Sequence, residues 1–257
     1  MPQEVDYDAI APGYDRRFAA GNNRGVAVAL LALAQDIEAG DVLEVGCGTG
    51  HWLAGLGAVA PRRYGLDLSA GMLQQARDRG QNLRLVRGRA GRLPFPAGTF
   101  DLVYCANALH HFQQRRQFIF EARRLLRPGG VLAVVGTDPR LIRDRWYIYH
   151  YFEGTYQTDL ARFPSWGTVL DWMAAAGFCH VAWRHVEQVV DDKVGRAVLQ
   201  DPFLEKTACS QLALLSDEAY AAGLRRIETA LAAAGASGQT VTFPVDLALS
   251  MAAGRAP

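Results

Sequence analysis

The stretch from Val42 to Trp52, VLEVGCGTGHW, places three glycines within five residues directly after a short apolar run. Glycines at the point where a strand passes into a helix permit positive φ angles and let a ligand approach the main chain without meeting a Cβ atom. In open α/β sheets, ligands bind at the carboxyl ends of the strands. The stretch therefore predicts a ligand site at the end of the first strand of such a sheet.

The chemistry of this site follows from the residues around the glycines. The GxGxG spacing of residues 46–50 differs from the dinucleotide pattern GxGxxG, whose third glycine would fall at His51. The acid before the loop, Glu44, repels a phosphate and attracts an ammonium. A second acid, Asp67, follows the next apolar run and can accept both hydroxyls of a ribose. We therefore predict a ligand that combines a nucleoside with a cation, and we disfavour NAD.

Short β-branched runs alternate with helix-length segments along most of the chain. Strands separated in this way predict a parallel sheet with helices on both faces. Ser69 and Ser165 are candidate N-caps of two helices, which should end at Gly80 and Gly177. The predicted strands are 41–45, 63–68, 83–88, 100–106, 130–136, 180–190 and 240–253.

The pattern changes after Gly136, where residues 137–164 are rich in aromatic side chains and show no clear strand. A second helical insertion, at about 191–237, separates the last two predicted strands. We expect the two insertions to form a helical cap. The predicted division is an N-terminal lid (1–25), a ligand-binding core (26–136), the aromatic cap insertion (137–164) and the C-terminal part of the sheet (165–257).

Composition and charge narrow the class of protein. Hydrophobic residues make up 50% of the 257 residues and charged residues 21%, which is typical of a soluble globular protein. The net charge of +1 provides no bulk attraction for nucleic acid or for an anionic membrane. Scattered arginine pairs, Arg115/Arg116 among them, are interpreted as solvated helix faces. We expect no nucleic-acid or membrane partner, and a monomer or a homodimer.

The cysteines and the apolar runs indicate the compartment. The four cysteines lie far apart without CxxC spacing, no His/Cys/Asp cluster has zinc-like spacing, and no secretory signal is evident. The apolar run at 26–40 contains Gln35, Asp36 and Glu38, so it reads as an amphipathic helix rather than a membrane span. We expect a cytoplasmic protein without a bound metal.

Four motifs in order carry a resemblance to a known family. VLEVGCGTG (42–50), GLDLSAGML (65–73), LPFPAGTFDLVYCANALHHF (93–112) and RLLRPGGVLAVVG (124–136) resemble the successive motifs of class I S-adenosylmethionine-dependent methyltransferases of the type 11 group. The resemblance implies a doubly wound, Rossmann-like methyltransferase fold. Its mostly parallel sheet would have seven strands in the order 3-2-1-4-5-7-6, with the last strand antiparallel.

The resemblance also implies a cofactor site, with S-adenosylmethionine as the methyl donor and S-adenosylhomocysteine as its product. Glu44 would meet the methionyl ammonium, Asp67 the ribose, and the N-terminal segment would act as a lid that turns Tyr14 toward the cofactor. Where the family commonly has an Asp for the adenine amino group, this chain has Arg89, which has no acceptor atom. The predicted cofactor-binding residues are Tyr14, Glu44, Gly46, Cys47, Gly48, Gly50, Asp67, Leu68, Met72, Arg89, Ala90 and Ala106.

The predicted acceptor site combines two regions of the chain. The strand that ends in YCANALHHF would deliver Asn107, His110 and His111 beside the sulfonium, and His111 is the candidate general base, with a structural role as the alternative. The aromatic insertion would form an apolar wall around the acceptor. The predicted wall residues are Trp146, Tyr147, Tyr149, His150 and Tyr151.

These features predict an enzyme that moves a methyl group to O, N or C of a small apolar or aromatic molecule. A non-catalytic module that binds S-adenosylmethionine or S-adenosylhomocysteine would have the same cofactor motifs and remains the alternative. A serine hydrolase is disfavoured because no GxSxG pattern occurs.

Overall fold

The architecture is a twisted seven-stranded sheet with helices on both faces. The computed structural model describes residues 5–18, 24–142 and 145–257. These residues contain the strands β1 (Asp41–Val45), β2 (Arg62–Asp67), β3 (Arg84–Arg87), β4 (Phe100–Ala106), β5 (Leu126–Gly136), β6 (Cys179–Val190), β7 (Lys193–Val194), β8 (Thr242–Phe243) and β9 (Asp246–Arg255). The main sheet has the order β3-β2-β1-β4-β5-β9-β6, and β7 pairs with β8. Counted within the main sheet, this order is 3-2-1-4-5-7-6, so the predicted fold class is confirmed.

Strand directions place the carboxyl ends of the first five strands at one edge of the sheet. β1 lies between β2 and β4 and is parallel to both, while β5 continues the parallel part beyond β4. β9 is antiparallel to its neighbours β5 and β6. The loops that follow β1, β2 and β4 therefore meet at the same edge, where a ligand would bind.

The helices alternate with the strands in the first half of the chain and gather in the second half. The α-helices are α1 (Tyr7–Ile10), α2 (Arg24–Asp36), α3 (His51–Gly55), α4 (Ala70–Asp78), α5 (Arg115–Leu125), α6 (Tyr147–Tyr151), α7 (Thr155–Arg162), α8 (Trp166–Ala175), α9 (Ser210–Ala213) and α10 (Asp217–Ala236). Short 3-10 helices span Ala11–Phe18, Leu109–His111, Pro139–Leu141, Gly195–Gln200 and Pro202–Leu204. Among these described helices, none combines the length and apolarity needed to cross a bilayer.

Successive side chains of the central strands point to opposite faces of the sheet, so two hydrophobic cores form, one on each face. Val42 and Leu102 pack on the face that α2 and α3 cover, whereas Leu43 and Val103 pack on the face of α5 and α8. All five residues of β1 are buried, as expected for a central parallel strand covered on both faces. The polar side chain of Glu44 is thus held inside the sheet by the apolar residues that flank it.

The predicted helix boundaries are observed at both candidate N-caps. The Ser69 hydroxyl accepts the amide of Met72, and the Ser165 hydroxyl accepts the amide of Thr168. The prediction of one continuous last strand at 240–253 is wrong. Pro244 lacks a backbone N–H for strand pairing and separates β8 from β9.

The segments between the sheet strands in the second half form a third hydrophobic core, separate from the two on the sheet. This core joins aromatic residues of α6 with apolar residues of the second insertion. We call the two insertions together the cap. The buried members of this core are Trp146, Tyr147, Ile148, Phe152, Val198, Leu204, Cys209, Leu212, Ile227, Phe243 and Val245. The division of the chain into a lid, a binding core and insertions stays a prediction, and its positions 1–4, 19–23, 143 and 144 lie outside the described residues.

Candidate functional site

A cavity of about 490 Å³ lies at the carboxyl edge of the sheet. Its volume is within the range of small-molecule and cofactor sites. Residues from the loops after β1, β2, β3 and β4 line it, together with the N-terminal segment and two residues of the cap. The lining residues are Val5, Tyr7, Tyr14, Val45, Gly46, Gly48, Leu66, Asp67, Leu68, Met72, Gly88, Arg89, Ala90, Gly91, Ala106, Asn107, Ala108, His110, His111, Phe112, Gln113, Gln114, Arg115, Arg162 and Leu214.

The loop after β1 forms the cavity wall with bare backbone. Gly46 has φ +73°, and a Cβ there would lie 2.5 Å from the Cβ of Ala108. Gly48 has φ +51°, and a Cβ there would have nothing within 4 Å, although the residue lines the cavity. The first glycine therefore allows close packing against the loop after β4, and the second leaves space that a ligand can enter.

Asp67, at the end of β2, is tied to the glycine loop. Its Oδ2 accepts the amide of Gly48 at 2.8 Å, and its Oδ1 accepts the amide of Ser69 at 2.9 Å. Burial raises the pKa of this carboxyl, although the backbone hydrogen bonds oppose the shift. A carboxylate oxygen has more than one lone pair, so each oxygen can also accept a ligand hydroxyl. The arrangement fits a ribose.

Glu44 lies beneath the same loop with no exposure to solvent. Its Oε2 accepts the Tyr104 hydroxyl at 3.1 Å, while Oε1 is buried without a hydrogen-bond partner among the described residues. Burial raises the pKa of Glu44 well above its usual range, and the neighbouring Asp67 charge adds to this effect. A buried carboxyl oxygen without a partner is costly, and a cation near the loop would offset that cost. This orphaned oxygen fits the ammonium of an amino-acid ligand.

The N-terminal segment closes over the cavity through its two Tyr-Asp pairs. Asp8 accepts the Ser69 hydroxyl at 2.6 Å and the Gly71 amide at 2.7 Å. Asp15 accepts the Thr49 hydroxyl at 2.6 Å and forms an ion pair with Arg79. The two tyrosines, Tyr7 and Tyr14, line the cavity with their rings in edge contact. In each pair, the acid docks the segment and the tyrosine faces the cavity.

The loop after β4 brings three polar residues into the cavity wall. Asn107 has φ +52°, a left-handed conformation that is unusual for a residue other than glycine and is common at functional sites. The Nε2 atom of His111 lies 2.6 Å from the Tyr7 hydroxyl. His110 stacks on Phe163, with 3.9 Å between ring centroids. Burial, with added repulsion from His111, Arg162 and Arg115, holds the pKa of His110 well below its usual range.

Comparison with known proteins assigns this arrangement to a family. A family model described as a methyltransferase domain matches residues 43–134. The demethylmenaquinone methyltransferase of Lactiplantibacillus plantarum is 31% identical in an alignment 205 residues long, which covers 68% of this chain and 86% of that protein. The chain belongs to the class I S-adenosylmethionine-dependent methyltransferases.

Solved structures agree with this assignment at the level of the fold. A methyltransferase from an antibiotic biosynthesis pathway of Anabaena variabilis has a TM-score of 0.65 and 20% identity, covering 88% of this chain and 95% of that one. Phosphoethanolamine N-methyltransferase 2 of Haemonchus contortus, solved with S-adenosylmethionine, has a TM-score of 0.59 and 17% identity. That alignment covers 97% of this chain and 57% of the other. At these identities the likeness extends to the fold alone.

The structure of this methyltransferase gathers most of the predicted cofactor residues around the cavity. Arg89 lies exposed at the rim and donates to Gln113 at 3.3 Å. Glu44, Cys47 and Gly50 are not among the residues that line the cavity: Glu44 lies beneath the loop, the Cys47 thiol packs toward Gly65, and Gly50 precedes α3. Those that line the cavity are Tyr14, Gly46, Gly48, Asp67, Leu68, Met72, Arg89, Ala90 and Ala106.

The predicted aromatic wall is not brought to the cavity of this methyltransferase. The aromatic segment has enough apolar surface to build a core with the second insertion, so its rings turn inward. Trp146 and Tyr147 are buried there, and the Tyr147 hydroxyl donates to Asp201 at 2.8 Å. Tyr149 donates to Asp159, Tyr151 packs on Phe243, and His150 is exposed. None of Trp146, Tyr147, Tyr149, His150 and Tyr151 is among the described residues that line the cavity.

Among the cavity residues that sequence reasoning missed are three that come from α5 and from the two insertions. Arg115 was interpreted as part of a solvated helix face, but it begins α5 and lines the cavity. Arg162 and Leu214 reach the cavity from the two insertions. No local pattern marks them, because their position depends on how the cap packs.

Proposed function

We propose that this methyltransferase binds S-adenosylmethionine in the cavity and transfers its methyl group to O, N or C of a small organic acceptor. The observation that carries the proposal is the single cavity that joins the Gly48 and Asp67 wall with Asn107, His110 and His111. The cofactor supplies an electrophilic methyl group on a sulfonium. The protein residues bind it, orient it, exclude water and hold the acceptor in line.

The proposed roles follow the contacts in the cavity wall. Asp67 binds the ribose hydroxyls, and the backbone at Gly46 and Gly48 lines the methionine part. Glu44 balances the ammonium, directly or through water. Leu68 and Met72 flank the adenine, while the Tyr7 and Tyr14 side of the N-terminal segment shields the reacting centre from water.

His111 is the proposed general base for an acceptor that loses a proton. Its Nε2 atom is within hydrogen-bond reach of the Tyr7 hydroxyl, so the lid residue and the proposed base are coupled. The low pKa of His110 keeps that imidazole neutral near pH 7, so it adds no positive charge near the sulfonium. A neutral amine attacks through its lone pair and needs no base beforehand, whereas a phenol or an acidic carbon must lose a proton.

Replacement of Asp67 tests the cofactor part of the proposal. We expect Asp67→Ala to weaken S-adenosylhomocysteine binding by about 1.5–3 kcal/mol, because hydrogen bonds to a charged group are lost. Isothermal titration calorimetry of both proteins measures this difference, with NAD as the competing ligand. Unchanged affinity would remove Asp67 from the site, and tight NAD binding without S-adenosylhomocysteine binding would overturn the cofactor assignment.

A methyl-transfer screen tests the reaction. Labelled S-adenosylmethionine is supplied with phenols, quinols, amines and carboxylates, and demethylmenaquinone is included because a relative is named for it. Transfer to one class identifies the acceptor atom. Cofactor binding without transfer to any acceptor would favour a module that senses the cofactor without turnover.

A further inference from the structure

The charges in the cavity wall are unevenly distributed. Among the described residues that line the cavity, three are arginines (Arg89, Arg115 and Arg162) and one is a carboxylate, Asp67. Both oxygens of Asp67 already accept backbone amides, and Arg89 lies exposed at the rim. The remaining two arginines are less exposed and come from α5 and α7. Asp159, which forms an ion pair with Arg162, is not among the described residues that line the cavity.

Arg115 has incomplete hydrogen bonding. Its Nη2 atom is 3.3 Å from the carbonyl oxygen of His110, a long contact. Its Nε atom is buried and has no hydrogen-bond partner among the described residues. A guanidinium presents five N–H donors, and among those of Arg115 the buried Nε–H is the one without an acceptor in the described residues.

Arg162 is similarly placed at the end of α7. Its side chain is 16% exposed, and its Nη2 atom donates to the Ser210 hydroxyl at 2.8 Å. Its Nη1 atom is buried without a hydrogen bond among the described residues. The Asp159 Oδ1 atom lies 3.8 Å away, which gives an ion pair but no hydrogen bond. Asp159 therefore balances the charge of Arg162 only in part, and its other oxygen already accepts Tyr149 and Gln211.

The two arginines are close enough to affect each other. Arg162 lies over the Phe163 ring at 5.7 Å, Phe163 stacks on His110, and His110 contacts Arg115 through its carbonyl. Burial, followed by the charge of Arg162, lowers the pKa of Arg115. Two partly buried like charges, each with one buried nitrogen that lacks an acceptor, favour an anion between them.

We propose that Arg115 and Arg162 bind an anionic group of the methyl acceptor, a carboxylate or a phosphate. The inference rests on the proposed function and narrows its substrate to small acids or phosphate monoesters. Arginine suits this task because its planar donors match two oxygens of either group. The acceptor's anion is held between Arg115 at the start of α5 and Arg162 at the end of α7, in the same cavity as the proposed cofactor wall.

The cofactor itself carries a carboxylate, so the test separates the two anions. The protein is first saturated with S-adenosylhomocysteine, whose own carboxylate then occupies its site. Phenylacetate and phenyl phosphate are titrated by calorimetry beside the neutral phenylacetamide, and inorganic phosphate is titrated alone. We expect at least one anionic aromatic probe to bind about tenfold or more tightly than the amide. Tighter binding of phenylacetate would indicate a carboxylate site, and tighter binding of phenyl phosphate would indicate a phosphate site. If inorganic phosphate binds and neither aromatic anion does, the inference that the anion belongs to an organic acceptor is overturned.

The arginine variants locate the binding site. Arg115→Gln and Arg162→Gln should each weaken the anionic probe about tenfold or more while leaving S-adenosylhomocysteine affinity within about threefold. Arg225→Gln, an exposed arginine of α10, is the matched control and should leave both affinities unchanged. Arg162→Lys retains the charge and should recover part of the probe affinity if Arg162→Gln fails to fold.

Three results would overturn the inference. Equal binding of phenylacetamide and the anions would remove charge recognition, and unchanged probe binding in both variants would remove the arginines. A parallel loss of S-adenosylhomocysteine affinity would identify the cofactor carboxylate as their partner. If the unmodified protein does not bind S-adenosylhomocysteine, the proposed function itself is wrong. The three results above contradict only the inference about the arginines.

Discussion

Glu44 combines complete burial with a carboxyl oxygen that has no partner among the described residues. Burial raises the pKa of this carboxyl in the folded protein, whereas the unfolded chain releases the proton near the ordinary value of 4.5. The folded state therefore binds more protons than the unfolded state between the ordinary and the raised pKa. Stability falls as the pH rises through that window, so the apo protein carries a strain that a bound ammonium relieves.

We expect Glu44→Gln to remove this pH dependence. Gln retains an acceptor for the Tyr104 hydroxyl, and each unit by which folding raises the pKa of Glu44 is worth about 1.4 kcal/mol. Relative to the unmodified protein, the variant should gain free energy of unfolding as the pH rises above 4.5, while its affinity for S-adenosylhomocysteine falls. Urea denaturation across that range measures the first effect and calorimetry the second. Parallel stability curves for the two proteins would contradict the assignment.

Kinetics distinguish the two proposed roles of His111, that of a general base and that of a structural residue. As a general base it contributes about 10²–10⁴-fold to the rate, so His111→Gln should lower kcat strongly and leave cofactor affinity nearly unchanged. Tyr7→Phe keeps the ring and removes only the hydroxyl that meets Nε2, so it separates the effect of this hydrogen bond from the loss of the imidazole. A variant rate within a few-fold of the original from pH 6 to pH 9 would show that positioning alone suffices. Loss of folding would indicate a structural role instead.

At the scale of elements, the cap depends on a buried polar cluster. Asp159 on α7 has no exposure, and its Oδ2 accepts Tyr149 of α6 at 2.8 Å and Gln211 of α9 at 2.6 Å. Burial raises the pKa of this carboxyl, and its hydrogen bonds oppose that shift. The cluster joins three helices directly behind Arg162, so it fixes the position of a cavity residue from outside the cavity.

We expect Tyr149→Phe to destabilise the cap. The buried carboxylate loses one of its partners, which costs about 1–3 kcal/mol of unfolding free energy. His150→Ala, an exposed change on the same helix, should stay within about 0.5 kcal/mol. Thermal unfolding of the two variants measures the difference. A raised KM for the acceptor in Tyr149→Phe with an unchanged melting temperature would instead return this ring to the acceptor wall.

The contrast between the core and the cap explains what the sequence could predict. The bounds of β1 and β4 and the N-caps Ser69 and Ser165 depend on local signals, namely apolar runs, glycines and capping side chains. Large apolar rings suit both a pocket wall and a hydrophobic core, so the sequence of the aromatic segment does not distinguish the two roles. Several of its partners are distant along the chain, such as Asp201 for Tyr147 and Phe243 for Tyr151, and only the packed structure shows which role the rings take.

At the scale of the whole molecule, cofactor binding should stabilise the protein as a unit. A ligand that binds only the folded state, present at 100 times its dissociation constant, adds about 2.7 kcal/mol. For a chain of this size, that corresponds to a rise in melting temperature of about 5–10 °C. Scanning calorimetry with S-adenosylhomocysteine measures the shift, and Asp67→Ala at the same ligand concentration should show a smaller one. An equal shift in both proteins would place the ligand elsewhere.

The cap has its own core, and among the described residues it reaches the cavity through Arg162 and Leu214 alone. Selection can therefore act on these two positions with little risk to the glycine loop or to the sheet. A duplicated copy of the gene would keep its methyl donor while its cap drifts toward another substrate. For the same reason, saturation mutagenesis of these two codons would be a small library for changing the acceptor, because it leaves the residues of the proposed cofactor site unchanged.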